Sequence, residues 1–335
     1  MQPLAFKFKY VDEQGNEQGF LSKKGRFDGQ TLSLGKDSIP VLAIRHTLRR
    51  FDRLILTVVT SDGASGRVAL AITGGSSRKL LASLNVVCSR AWAEARGKRL
   101  EAEGRGAEHR TELCSHCGAT LDLTGLASTA QTYCGYCDTI ATTSGRGPRN
   151  ESSYGRCDQC GLWGRPSELT VFYFYFLVVV YGWRYRKEYI CRACMRGAAW
   201  KMLAANLVFV LGVPTAIIAL IRAYSGSVSG DALAPLDRAN ALASKGRVDD
   251  AERIYRQIES AMSYAAGLHF NRAMSFARAR RLEEAARCFE HSLADCSSYE
   301  PSFQGLRACY AELGESAKRE ALERSFGVDP SDDGS

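Results

Sequence analysis

Eight of the chain's twelve cysteines lie in four Cys-x-x-Cys pairs, and these constrain the fold more than any other feature of its 335 residues. Cys114-Ser-His-Cys117 is followed, after sixteen residues, by Cys134-Gly-Tyr-Cys137. Cys157-Asp-Gln-Cys160 is followed, after thirty, by Cys191-Arg-Ala-Cys194. A tight Cys-x-x-Cys turn aims two thiolates at one point, and two such knuckles complete a tetrahedral four-sulfur site. The spacing predicts two zinc ribbons, over 111–140 and 154–196, each with one structural Zn2+. Gly118, Gly135 and Gly161 fit the tight turns. Four thiolates leave no open coordination position, so the metal is expected to be structural, not catalytic. His116, inside a knuckle, is expected to face solvent. A redox Cys-x-x-Cys normally occurs as a single copy opening a helix, and four paired copies argue against that chemistry. The opening residues show no secretory signal pattern, which favours metal over disulfides. The remaining Cys88, Cys288, Cys296 and Cys309 read as packing residues.

The segments around the cysteines differ in character. Residues 1–103 read as short strands closed by one helix. Phe6, Phe8 and Tyr10 alternate with Lys7 and Lys9, and turn signals recur at short intervals. Leu80, Leu81, Leu84, Val87 and Cys88 then form a helical stripe behind a Ser76 or Ser77 cap. In this order of elements the segment resembles the pleckstrin-homology-like superfold. That resemblance implies a β-barrel with a C-terminal helix, and it puts Lys23, Lys24 and Arg26 where some such domains bind lipid. A solvated strand face is the simpler reading of those three residues.

Met202–Ile221 is an uncharged apolar run of twenty residues, long enough for a bilayer at about 1.5 Å per residue. Trp200, Lys201, Arg222 and Tyr224 flank it as interfacial anchors would. The run predicts a transmembrane or, because of Pro214, re-entrant membrane segment over 200–224. Val171–Tyr181 is apolar on both faces and is a second candidate for lipid contact. Arg184, Arg186, Lys187, Arg192, Arg196 and Lys201 precede the run, which predicts ribbons on the cytoplasmic side.

Residues 236–327 read as helical repeats. Residues 246–261 and 280–295 align at an offset of 34, with Val248 on Leu282, Ala251 on Ala285 and Tyr255 on Phe289. A period of that length resembles the tetratricopeptide repeat, whose face suits a protein or peptide segment. Over 155–330 the chain resembles uncharacterised bacterial membrane proteins with a zinc ribbon, a short membrane-embedded segment and a tetratricopeptide-like tail. The resemblance implies the inner membrane of a bacterium and brings no activity with it. The chain lacks the Trp residues of that group's apolar stretch.

No phosphate-binding loop, zinc-protease motif, nucleophile elbow or dinucleotide fingerprint is present, and the five histidines are scattered. A net charge of +8 is compatible with an anionic partner and proves none. Arg146, Arg149 and Arg156 lie between the quartets without the interleaved aromatics of a nucleic-acid stripe, so nucleic acid is not an expected partner. The chain is thus expected to be multi-domain α+β: a pleckstrin-homology-like domain, two zinc ribbons, a membrane helix and helical repeats. The expected function is a membrane-anchored, non-enzymatic adaptor. The alternatives are a nucleic-acid-associated zinc protein and a Cys-x-x-Cys redox or metal-handling enzyme.

Overall fold

The computed structural model describes residues 3–13, 16–50, 53–60, 64–142, 153–177, 180–206, 213–224 and 232–327. They fall into two compact units, Met1–Thr124 and Gly125–Ser335.

In the first unit, alternating sequences give β1 (Leu4–Val11), β2 (Lys23–Phe27), β3 (Thr31–Leu34), β4 (Asp37–Pro40), β5 (Ile44–Arg50), β6 (Arg53–Val59) and β7 (Ser65–Gly74). They pair antiparallel in the order β4-β3-β2-β1-β7-β6-β5. Phe6 and Phe8 face inward while Lys7 points out, as period-2 alternation requires. The 26-residue helix α1 (Ser77–Ala102) starts where the Ser76 hydroxyl accepts a hydrogen bond from the Lys79 N–H at 3.2 Å. Its Leu80, Leu84 and Cys88 pack on Phe8, Phe27, Leu32, Leu54, Leu56 and Leu70. A short hairpin follows, β8 (Thr111–Leu113) with β9 (Thr120–Asp122), tied to α1 by the Ser89 hydroxyl and Thr120 N–H at 2.9 Å. The expected barrel does not form. The sheet stays open because β4 and β5 are its two ends and do not pair. β4 is only four residues long and finishes in Pro40, which has no N–H to extend a ladder. The pleckstrin-homology-like assignment is therefore not upheld.

The second unit starts with two small hairpins, β10 (Gln131–Cys134) with β11 (Thr139–Thr142), and β12 (Gly155–Arg156) with β13 (Trp163–Gly164). A long hairpin, β14 (Ser167–Leu177) with β15 (Val180–Ile190), leads into α2 (Arg192–Asn206) and α3 (Val213–Tyr224). Here the sequence expectation fails. The apolar run Met202–Ile221 is shared between two helices of fifteen and twelve residues, not one. Among the described residues no helix is long and apolar enough to cross a membrane. The two helices instead bury apolar residues against each other: Met195, Ala199 and Met202 of α2 share a core with Ala216, Ala219 and Ala223 of α3. The Arg196 guanidinium donates to the Ala223 carbonyl at 3.2 Å, so the start of α2 meets the end of α3. The predicted transmembrane helix, and the inner-membrane localisation built on it, are corrected accordingly. The side chains of residues 170–187, and with them the lipid contact expected for Val171–Tyr181, lie outside the described set.

Six helices complete the unit: α4 (Leu236–Ser244), α5 (Val248–Glu259), α6 (Ala266–Arg278), α7 (Leu282–Asp295), α8 (Glu300–Leu313) and α9 (Ser316–Ser325). They form a repeating helix array. Val248, Leu282 and Ser316 open α5, α7 and α9 at a constant spacing of 34 residues. Ala239, Ala273, Ala251 and Ala285 are fully buried, which lets paired helices approach, and Tyr255 and Phe289 fill the groove between them. Acidic pairs Asp249/Asp250 and Glu283/Glu284 sit in the first turns of α5 and α7, where they offset the exposed N–H groups and the helix dipole.

Candidate metal centres

Each knuckle is a loop closed on itself by backbone. Gly118 N–H donates to the Cys114 carbonyl, Asp138 N–H to Cys134 and Gly161 N–H to Cys157, each at 2.8 Å. That turn requires a left-handed residue directly after the second cysteine. Gly118 (φ 74°), Asp138 (φ 59°) and Gly161 (φ 67°) supply it. In the second pair of knuckles the last one differs: Cys191 and Cys194 bracket the start of α2, and Met195 N–H donates to the Cys191 carbonyl at 2.9 Å. The sequence placed a turn glycine at Gly135, but in that knuckle the left-handed position is Asp138. Aspartate tolerates this conformation through its short polar side chain.

These turns bring the eight paired cysteines into two groups. Cys114, Cys117, Cys134 and Cys137 form one, and Cys157, Cys160, Cys191 and Cys194 the other. Within each, the ligand atoms lie within 4.8 Å of one another. Among the described residues these are the two groups of His, Cys, Asp or Glu side chains able to hold a metal ion. In each pair the first cysteine is buried and the second half-buried. His116 is exposed and belongs to neither group. Backbone amides also aim at sulfur, with Cys191 N–H 3.3 Å and Cys160 N–H 3.5 Å from the Cys157 Sγ.

In the second group the thiols lie close enough to perturb one another. Hydrogen bonds from Cys160, then from Cys191 and Cys194, hold the Cys157 thiol far below its usual range. Cys191 is pushed far above its usual range, first by its hydrogen bond to Cys157. Thiolate is the form that binds metal, so a divalent ion at this point would replace the thiol protons. The donor set suits a soft, tetrahedral ion and leaves no position for water.

Residues beside Cys134, Cys137, Cys157 and Cys160 tie these cysteines to the rest of the second unit. Asp138 follows Cys137, and Arg156 precedes Cys157. The Asp138 carboxylate accepts from the Arg156 backbone N–H at 2.7 Å, its Nε–H at 3.0 Å and the Tyr133 hydroxyl at 2.7 Å. Arg156, a candidate for nucleic-acid contact in sequence, is therefore engaged within the protein; Arg146 and Arg149 lie outside the described residues. The Tyr133 N–H donates to Ser298 at 2.9 Å, and the Gln131 side chain accepts from the Ala266 N–H at 3.0 Å. From the second centre, Trp163 enters the helix array. Its backbone N–H donates to the Asn271 Oδ1 at 2.6 Å, and its carbonyl accepts from Asn271 Nδ2 at 2.6 Å and Asn240 Nδ2 at 2.9 Å. Arg278 Nη2 donates to the Cys160 carbonyl.

Sequence reasoning missed Asp138, Asn240 and Asn271. A signal existed for the two asparagines. Each lies on a helix face otherwise made of buried residues such as Leu236, Ala239 and Ala243, or Phe270 and Ala273. A buried amide is costly unless it finds partners, so an Asn on such a face announces a specific contact.

No family model, no curated protein and no solved structure matches this chain. The resemblance to bacterial membrane proteins with zinc ribbons and a tetratricopeptide-like tail is therefore not upheld: no family model matches, and no described helix is long and apolar enough to cross a membrane.

Proposed function

We propose that the chain is a non-enzymatic adaptor in which two structural Zn2+ ions hold binding surfaces in place, and the helix array takes a protein or peptide segment. The observation that carries this is the closed four-sulfur geometry of both cysteine groups beside a repeating helix array. A tetrahedral thiolate site has no exchangeable position and favours Zn2+ over harder ions. Stacked helical hairpins present side chains of several helices along one face, which is how extended segments are bound.

Two measurements test the proposal. Elemental analysis of the purified chain should give two zinc ions, with Cys114→Ser and Cys157→Ser each removing one. Fewer than one per chain excludes structural zinc. Selection of a random peptide library on the intact protein should enrich binders that are lost on substitution of array residues. A library that enriches nothing excludes the adaptor.

A further inference from the structure

The face formed by α4 and α6 already has an occupant, the chain's own Leu162–Trp163–Gly164 stretch. Trp163 is 3% exposed and Leu162 is fully buried. The contact is directed at backbone. Asn271 accepts from the Trp163 N–H and donates to its carbonyl, both at 2.6 Å. Asn240 donates to the same carbonyl at 2.9 Å and is itself fixed by the Tyr255 hydroxyl at 2.8 Å. Paired amide contacts to one residue's N–H and C=O are the means by which a groove reads an extended chain.

Side-chain selectivity comes from two glycines. A Cβ on Gly267 would stand 2.3 Å from the Trp163 ring, so α6 is hollowed at that point for an aromatic side chain. A Cβ on Gly164 would stand 3.2 Å from the Asn240 Nδ2, so the next residue must be small. The face is thus fitted to an extended aromatic–glycine pair.

Besides these clamps and the stack of the Trp163 ring on Tyr154 at 4.9 Å, the stretch is tied to the second cysteine centre. β12 and β13 are two residues each. The remaining backbone ties, Cys157 N–H to the Leu162 carbonyl at 3.0 Å and Gly161 N–H to the Cys157 carbonyl at 2.8 Å, lie inside the knuckle. The indole Nε1 is buried without a hydrogen-bond partner, which weakens the docked state. Resting on the adaptor function proposed above, we infer that this centre is a latch. With metal bound, the knuckle seats Trp163 in the array's own groove. With metal removed, the strand leaves, and the α4–α6 face binds an extended aromatic–glycine segment of a partner protein.

The test uses the full chain and a fluorescent synthetic peptide copying residues 161–168, followed by anisotropy under reducing conditions. The zinc-loaded protein is expected not to bind the peptide. The chelator-treated protein, and a Cys157→Ser, Cys160→Ser variant, are expected to bind it. A peptide carrying Trp163→Ala should bind about tenfold or more weakly, and Asn271→Ala in the protein should do the same. The peptide-side change leaves the protein intact, so the test survives if the Asn271 variant does not fold. Equal binding with and without zinc overturns the latch. So does loss of helical circular dichroism on chelation, since the strand is then a fixed part of the core. Absence of binding with the helices retained also overturns it. In each of these cases the adaptor reading still stands on the library selection, and only failure of that selection removes it.

Discussion

Arg280 is one of two non-glycine residues with positive φ among those described, and its position explains why. Gly246 (φ 77°), Arg280 (φ 60°) and Gly314 (φ 73°) stand 34 residues apart, each at the turn between the two helices of a hairpin. The turn needs a left-handed residue in every repeat, and only the middle copy fills it with a residue bearing Cβ. That costs about 1–2 kcal/mol, of which glycine's greater unfolded-state freedom would return part. The Arg280–Glu312 ion pair at 2.7 Å is too exposed to compensate. Arg280→Gly is expected to stabilise the chain by up to about 1 kcal/mol, read as a higher urea midpoint. Gly267 behaves in the opposite way. In an open helix Gly→Ala gains about 1 kcal/mol. Here the new methyl would stand 2.3 Å from the Trp163 ring, and the ring is held by its backbone clamp. Gly267→Ala is expected to lose about 2 kcal/mol, and a gain in thermal midpoint would show that the ring moves freely.

At the scale of elements, helices α5, α6 and α7 enclose a charged cluster. Arg272 donates to Glu252 through Nε at 2.9 Å and Nη2 at 2.6 Å, and to Glu259 through Nη1 at 2.8 Å. His269 lies beside it, 3.6 Å from Glu259, 3.5 Å from Asp295 and 5.6 Å between ring centroids from His291. Burial, helped by Arg272 and His291 and opposed by Asp295 and Glu252, lowers the His269 pKa from 6.5 to about 4. The fold therefore favours the neutral ring. Its contribution is present in full above about 6.5 and is lost as pH falls towards about 4. Between pH 7.5 and 5.5 the wild type should lose about 1 kcal/mol more stability than His269→Gln, and equal losses would show that the ring does not stay neutral. The elements themselves were legible in sequence to different depths. The 34-residue spacing of Val248, Leu282 and Ser316 could be read because each repeat buries the same small and aromatic positions. The apolar run Met202–Ile221 was misread because hydropathy counts residues and does not see a change of direction. Alanines 199, 216, 219 and 223 are as suited to a tight helix–helix seam as to lipid, and the structure uses them for the seam.

For the whole molecule, the spacing of the cysteines foretold which sulfurs would meet but not what the two centres would do to each other or to the array. Those links join residues distant in sequence: Trp163 meets Asn240 and Asn271 across 77 and 108 positions. The link between the centres is Asp138. One carboxylate restrains Tyr133, next to Cys134, and Arg156, next to Cys157. Groups hydrogen-bonded behind metal ligands hold those ligands in place, and their loss typically weakens metal binding about tenfold or more. A single change at Asp138 should therefore weaken metal binding at both centres. Asp138→Gly is the informative variant, because glycine keeps the left-handed turn at φ 59° and removes only the carboxylate. In competition with a chromogenic chelator, both ions should leave about tenfold faster than from the wild type. Arg156→Ala removes only the Nε–H bond and leaves the Arg156 backbone N–H and the Tyr133 hydroxyl on the carboxylate, so its effect should be smaller, and the double variant should be no worse than Asp138→Gly alone. Faster release of one ion alone would mean that the centres are independent.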